Sequence, residues 1–312
     1  MTHIMIVGDG FDAEERARIR ALAPVVEVSG PDAIGTCDAQ ARNAVCAVAY
    51  KGHAPFDAQA MEALPALGLI ANFGVGYDAI DVGAASERGI AVTNTPDVLN
   101  DDVADLTVGL MLGWARQMVQ GHDLVASGEW GKRGLPLARK LSGASVGIVG
   151  LGRIGREIAD RLAAFKMDIH YTSRSQKDTP GWEYHSSVAD MAAKVDWLVI
   201  ALVGGPDTVN HVDRRALTAL GPDGVVVNIS RGTTVDEAAM LDLLESGGLA
   251  GAALDVFLNE PQIDARFLGL SNVLLQPHQG SATVATRRAM SELQCANIAA
   301  FLAGEPLLTP VG

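Results

Sequence analysis

The chain has 312 residues, with 24 Lys and Arg against 37 Asp and Glu and a formal net charge of -13. At roughly 150 residues per domain this length points to two domains, and 48% hydrophobic against 20% charged residues excludes a disordered chain. The acidic balance, with no stretch crowded by basic residues, excludes a sequence-independent nucleic-acid binder. Apolar runs of strand length alternate with helix-like segments, and the runs are continuous, as expected when both faces of a parallel sheet are covered. The class is α/β. Strands are expected at residues 4–7, 25–28, 45–49, 69–72 and 91–94, with helices at 12–22 and 58–64. A long helix is expected at 101–127, where Val103, Leu106, Leu110, Leu112 and Val119 recur at helical spacing before Gly128-Glu129-Trp130-Gly131 ends it. A helix of that length can join two lobes. The second series has strands at 146–149, 169–172, 197–202, 225–229, 252–256 and 273–276, a helix at 153–165 and a closing helix at 283–302.

Gly150-Leu151-Gly152-Arg153-Ile154-Gly155 follows a strand and opens a helix, the context that gives a G-x-G-x-x-G match its meaning. The first glycine permits the turn, the second lets a pyrophosphate approach the backbone, and the third lets helix and strand pack closely. A rival, Gly8-Asp9-Gly10-Phe11-Asp12-Ala13, fits the looser form ending in Ala. It carries Asp9, Asp12, Glu14 and Glu15 where an anion would sit, whereas the later loop offers Arg153 and Arg156. The dinucleotide is therefore assigned to 150–155, and 8–13 to an ordinary strand-to-helix turn. At the end of the next strand a carboxylate would bind the ribose 2′-hydroxyl of NAD, and an arginine the 2′-phosphate of NADP. That strand ends in Ser173-Arg174-Ser175 with Lys177 beyond, and Asp168 lies at its other end, so NADPH is expected to be preferred over NADH.

In doubly wound sheets ligands bind beyond the carboxyl ends of the strands. Three of those ends lead into Ser230-Arg231-Gly232, into Glu260-Pro261 after a strand that contains Asp255 near its end, and into Pro277-His278-Gln279-Gly280-Ser281. Each residue type suits reduction of a 2-oxo acid. Arg231 can hold a carboxylate bidentately and polarise the adjacent carbonyl. His278 is the natural proton donor to a developing alkoxide, and a carboxylate at Glu260 would favour the imidazolium and raise the histidine pKa. The remaining histidines (His3, His53, His122, His170, His185 and His211) lack such a context, and no His-Glu-x-x-His or comparable spacing occurs, so no metal is expected. Cys37, Cys46 and Cys295 form no Cys-x-x-Cys pair and suggest neither a disulfide framework nor a thiolate site.

The segments Asn72-Phe73-Gly74-Val75-Gly76-Tyr77-Asp78, Asn94-Thr95-Pro96-Asp97-Val98-Leu99, Val103-Ala104-Asp105, the 150–155 loop, Asn228-Ile229-Ser230-Arg231-Gly232, Leu254-Asp255-Val256-Phe257, Glu260-Pro261, Pro277-His278 and Thr309-Pro310-Val311 resemble the NAD(P)-dependent D-2-hydroxyacid dehydrogenases. Within that family they resemble the glyoxylate/hydroxypyruvate and hydroxyphenylpyruvate reductases. The resemblance implies two doubly wound lobes: a Rossmann cofactor domain at 101–284, carrying the interdomain helix and dimer arm, inserted into a flavodoxin-like substrate domain at 1–100 and 285–312. It gives Arg231, Glu260 and His278 the family's catalytic roles and puts the substrate carboxylate on the backbone of Val75 and Gly76. It also implies that Ile229 and Asp255 hold the nicotinamide amide, that Leu151, Gly152, Arg153, Ile154, Ser173, Arg174 and Ser175 line the phosphates, and that Gly280 adjoins the cofactor.

A homodimer is implied through the long helix and the arm near Trp130. Phe73, Tyr77, Leu99, His53 and Trp130 are candidates to shape the pocket. Leu202-Val203-Gly204-Gly205-Pro206 departs from the Pro-Leu-Thr pattern usual there, and Asp105 replaces the commoner Glu. The expected activity is hydride transfer from NADPH to glyoxylate, hydroxypyruvate or an arylpyruvate. The alternatives are an NAD(P)H-sensing regulator on the same fold and a family dehydrogenase acting on an inorganic or one-carbon substrate. The longest strand-like apolar run, 197–203, is too short to cross a bilayer. The N-terminal residues carry no basic leader or cleavage site, so a cytoplasmic location is expected.

Overall fold

The computed structural model describes residues 2–311, which form two compact units dividing at Leu99/Asn100 and Ser281/Ala282. In chain order the first unit holds β1 (His3–Val7), α1 (Ala13–Arg20), β2 (Val25–Val28), α2 (Ala39–Ala44), β3 (Val45–Tyr50), α3 (Ala58–Glu62), β4 (Leu69–Asn72), α4 (Val82–Glu87) and β5 (Ala91–Thr93). The second holds α5 (Asn100–Ala115), α6 (Met118–Ala126), β6 (Ser145–Val149), α7 (Arg153–Ala164), β7 (Asp168–Thr172), β8 (Glu183–His185), α8 (Val188–Ala192) and β9 (Trp197–Ile200). It continues through α9 (Arg214–Leu220), β10 (Val225–Asn228), α10 (Glu237–Ser246), β11 (Gly251–Leu254) and β12 (Val273–Leu275). The last helix, α11 (Val284–Ala303), belongs to the first unit, where Gln294 Nε2 donates to the Ala71 carbonyl of β4 at 2.8 Å.

The first sheet runs β2-β1-β3-β4-β5 and the second β12-β11-β10-β9-β6-β7-β8, with every strand pair parallel. These are the flavodoxin-like order and the Rossmann order extended by one strand, with reversals at β1/β3 and β6/β9. Their central strands are apolar because both faces are covered: Ile4 to Val7, Leu198 to Ile200 and Val225 to Val227 are fully buried. Each such side chain contributes about 1.5–3 kcal/mol of burial free energy. Part of the acidic excess opens helices. Asp12, Asp38, Asp57 and Asp81 accept the orphan N–H groups of α1 to α4, and Asp213 and Asp236 those of α9 and α10.

Three expectations need correction. The helix at 101–127 is two helices, because Gln117 adopts the left-handed conformation (φ 51°, ψ 45°) between α5 and α6. The strands at 197–202, 225–229 and 252–256 stop at Ile200, Asn228 and Leu254, so Asp255 lies just past its strand. Its N–H still bonds the Asn228 carbonyl at 2.9 Å, but its carboxylate turns the chain toward residues 279 and 280. Arg156 does not serve the glycine loop. Its guanidinium donates to the Asp178 carbonyl and stacks over Trp182 at 5.0 Å.

Candidate active site

The loop between β6 and α7 lies at the reversal of the second sheet. Gly150 has φ 100°, and a Cβ on Gly155 would stand 2.1 Å from the Gly150 carbonyl oxygen, so the first and third glycines are demanded by the turn and by close packing. Gly152 differs. Apart from Gly152 and its two chain neighbours, no heavy atom of the described residues lies within 4 Å of where its Cβ would be, and as the N-cap of α7 it brings no side chain to that helix end. The backbone N–H groups of that first turn face an open cradle, the arrangement a pyrophosphate fits.

The rival turn after β1 is closed by its own carboxylates. Asp12 Oδ1 accepts from Glu15 N at 2.8 Å, Glu15 Oε2 accepts from Asp12 N at 2.8 Å, and Lys51 Nζ pairs with Glu15 at 2.7 Å. A helix end satisfied in this way offers nothing to an anion.

Past β7 the segment 173–177 is ordered from within the sheet. Tyr171 Oη accepts from Lys177 N at 2.9 Å and donates to the Lys177 carbonyl at 3.1 Å, and Ser173 Oγ donates to the Ser175 carbonyl at 2.5 Å. Arg174 is exposed on this anchored loop, which contains no carboxylate between Ser173 and Lys177.

Arg231 follows β10 and is set by its neighbours. Asn228 Nδ2 and Thr234 Oγ1 donate to the Arg231 carbonyl at 2.9 and 2.6 Å, and Arg231 Nη1 donates to the Ser230 carbonyl at 2.8 Å. The next residue must be glycine, because a Cβ on Gly232 would stand 1.9 Å from the Phe257 carbonyl carbon. This contact fixes the loop carrying Arg231 against the segment that leads to Glu260. There Glu260 Oε1 accepts from Phe257 N at 2.8 Å, and Glu260 Oε2 meets His278 Nδ1 at 2.7 Å. The dyad is part-buried, with side chains 31% and 21% exposed for His278 and Glu260.

His278 has φ 54°, uncommon for a residue with a Cβ, and Asp255 holds it there. The Asp255 carbonyl accepts from His278 N at 2.9 Å, its Oδ1 from Gln279 N at 2.6 Å and its Oδ2 from Gly280 N at 2.8 Å. One residue, 1% exposed, thus grips three successive N–H groups. Burial pushes the Asp255 carboxyl above the usual carboxylate range against the lowering by those two N–H groups. Ile229, 9% exposed, donates its N–H to the Ile200 carbonyl at 3.4 Å.

In the first unit the segment after β4 is clamped by amides. Asn72 Nδ2 donates to the Gly74 and Gly76 carbonyls at 3.2 and 2.8 Å, Asn94 Nδ2 to the Val75 carbonyl at 2.9 Å, and Thr95 N to the Gly74 carbonyl at 2.9 Å. A trans peptide points its N–H opposite its C=O. With the carbonyls of Gly74 and Val75 turned toward these donors, the N–H groups of Val75 and Gly76 point the other way. Among the pocket candidates, Phe73 and Leu99 are buried, Phe73 edge-on to Phe11 at 6.1 Å. Tyr77 is half-buried, and His53 and Trp130 are exposed. The clamps Asn72, Asn94, Asn228 and Thr95 and the grip of Asp255 carry no separate signal in the residue spacing, save that a polar residue ends an otherwise apolar strand.

Residues 108–280 match the sequence profile described as D-isomer specific 2-hydroxyacid dehydrogenase, NAD binding domain. The glyoxylate/hydroxypyruvate reductase A of Arabidopsis thaliana is 47% identical over 270 residues, 86% of each chain. The hydroxyphenylpyruvate reductase of Plectranthus scutellarioides is 45% identical over 265 residues, 85% of each. Among solved structures, the NADPH-dependent glyoxylate/hydroxypyruvate reductase of Sinorhizobium meliloti in complex with NADP and malonate superposes with a TM-score of 0.95 at 40% identity, covering 100% of this chain and 97% of that one. With a matching profile that spans over half the chain, relatives that span most of it and a shared fold, the chain belongs to the D-isomer specific 2-hydroxyacid dehydrogenase family.

Proposed function

We propose that the chain is an NADPH-preferring reductase that converts small 2-oxo acids, of the glyoxylate, hydroxypyruvate or arylpyruvate type, into D-2-hydroxy acids. The observation that carries this reading is the His278 Nδ1 to Glu260 Oε2 contact of 2.7 Å. A carboxylate on one ring nitrogen fixes the tautomer and the ring's orientation, leaving Nε2 to deliver the proton to the carbonyl oxygen. Arg231 holds the substrate carboxylate and polarises the carbonyl, and the N–H groups of Val75 and Gly76 bind the carboxylate. Asp255 acts on the histidine through the backbone, and its contact with the nicotinamide amide, like that of Ile229, rests on the resemblance.

When bound, NADPH supplies the hydride. The open cradle at Gly152 suits its pyrophosphate, and Arg174 its 2′-phosphate, with residues 101–284 as the cofactor domain and 1–100 with 285–312 as the substrate domain. The NADP-bound relative supports the cofactor assignment. A homodimer in the cytoplasm belongs to the same reading. The exposed Met118, Val125, Trp130 and Leu137 on α6 and the residues after it support the dimer.

Steady-state rates with glyoxylate, hydroxypyruvate and phenylpyruvate, each with NADPH and NADH, test it. NADPH-dependent turnover of at least one is expected, with Arg174→Ala raising the KM for NADPH about tenfold and leaving that for NADH unchanged. No NADPH consumption with any 2-oxo acid would overturn the reading.

A further inference from the structure

At the outer edge of the second sheet, β7 and β8 bring together side chains that the reductase reading does not use. The parallel register pairs His170 with Glu183 and Thr172 with His185, and alternation places Asp168, His170, Glu183 and His185 on one face. Both imidazoles are buried, at 4% and 8% exposure, and stack with centroids 5.2 Å apart. His170 Nδ1 lies 3.0 Å from His185 Nε2, and the Glu183 carboxylate spans the pair, its Oε2 3.6 Å from His170 Nδ1 and its Oε1 3.4 Å from His185 Nε2. On the far side of the ring His170 Nε2 meets Asp168 Oδ2 at 3.3 Å. Lys194 Nζ pairs with Glu183 Oε1 at 2.8 Å, and Asp190 is the other charge acting on His185.

Asp168 is the natural acceptor for a proton on His170 Nε2, which leaves a lone pair on Nδ1 aimed at His185. The two ring nitrogens face each other at 3.0 Å, and either a hydrogen bond between the rings or a cation bound by both satisfies them. Ligand atoms around a tetrahedral zinc ion, bonded at about 2.0–2.1 Å, lie about 3.3 Å apart. One ring nitrogen of each imidazole and one oxygen of Glu183 lie within 4.8 Å of one another, and the imidazole nitrogens themselves are 3.0 Å apart, so side-chain shifts bring the three onto a cation of this size. Two imidazoles with one carboxylate are a donor set for zinc-class ions, whereas calcium and magnesium take oxygen ligands. Asp168 supplies the carboxylate that commonly backs a metal-bound histidine. Asp168, Glu183 and Asp190 against Lys194 and the Arg215 that pairs with Asp190 leave a local charge of about -1, which favours a cation.

We propose that His170, His185 and Glu183 form a binding site for a zinc-class divalent cation that fastens the edge strand β8 to β7. The site is independent of the reductase chemistry, but both strands bracket residues 173–182. A bound ion therefore also stiffens the segment that carries Arg174.

Metal-stripped, untagged protein titrated with zinc sulfate by calorimetry, and with cobalt chloride by visible absorption, tests this. One ion per chain is expected, with micromolar or tighter affinity, a tetrahedral cobalt spectrum, and binding that weakens as pH falls through the imidazole range because protons compete. His170→Gln and His185→Gln should each weaken binding about a hundredfold and abolish the cobalt spectrum. Asp168→Asn should weaken it about tenfold. Glu183→Gln, at an exposed position that threatens the fold least, should lose the rise in thermal midpoint that zinc gives the parent. His278→Ala should bind the ion as the parent does, which separates this site from the candidate active site. No binding, undiminished binding in the His170, His185 and Glu183 variants, or loss in His278→Ala would each overturn the proposal.

Discussion

In the proposed reaction His278 meets the substrate, but its position is set by Asp255. Asp255 grips the N–H groups of residues 278, 279 and 280 through its carbonyl and both carboxylate oxygens. An asparagine there keeps one acceptor and turns an NH2 against a backbone N–H. Asp255→Asn should therefore lower kcat by loosening the histidine. His278→Ala, which removes the proposed proton donor, should lower kcat by about 10²–10⁴-fold and leave the NADPH dissociation constant in a fluorescence titration unchanged. Equal turnover of His278→Ala and parent would remove the histidine from the mechanism.

The pH dependence of Asp255 has a definite sign. Burial raises its folded carboxyl pKa above the unfolded value, so the folded state binds the proton more tightly. Its contribution to stability is present at low pH and lost as pH rises through the raised value. Urea unfolding of the parent should lose more stability between about pH 4 and pH 7 than that of Asp255→Asn. A steeper loss in the variant would contradict the assignment.

At the scale of elements, the central strands were readable in the residues because burial on both faces writes continuous apolar runs such as Val225 to Val227. The glycine loop was readable because each glycine answers a separate steric demand. The edge strand β8 was not, since Glu-Tyr-His is short and polar and owes its pairing to β7. Nor was the break after α5: Arg116, Gln117 and Met118 carry no glycine or proline, and apolar spacing continues across them. The end of the strand before Asp255 is not legible in the residues, because the N–H groups that take its carboxylate, those of Gln279 and Gly280, are 24 and 25 positions away. The break itself is testable. A non-glycine residue in the left-handed region costs about 1–2 kcal/mol, and Gln117 stands there without a side-chain cap among the described residues. Gln117→Gly should raise the thermal midpoint and Gln117→Val should lower it, as read by calorimetry; the opposite order would show that the break is held by contacts of the glutamine.

For the whole molecule, the net charge of -13 acts against both ligands, since NADPH and a 2-oxo acid are anions. The opposing charges are few and local. With Arg156 engaged at Asp178 and Trp182, the cations proposed to meet phosphate and carboxylate are Arg153, Arg174, Lys177 and Arg231. The two effects have different ranges. At an ionic strength of 0.01 M the screening length is about 30 Å, and an approaching anion meets the field of the whole acidic surface; at 0.1 M it is about 10 Å, and little beyond the nearest charges is felt. The NADPH association rate, followed by stopped-flow quenching of tryptophan fluorescence, should therefore rise between these two salt concentrations, because salt removes the distant repulsion before the local attraction. Arg174→Ala should lie below the parent at both. A rate that falls steadily from the lowest salt upward would mean that the local cations govern the approach at every distance, and that the acidic surface is turned away from the path of the cofactor.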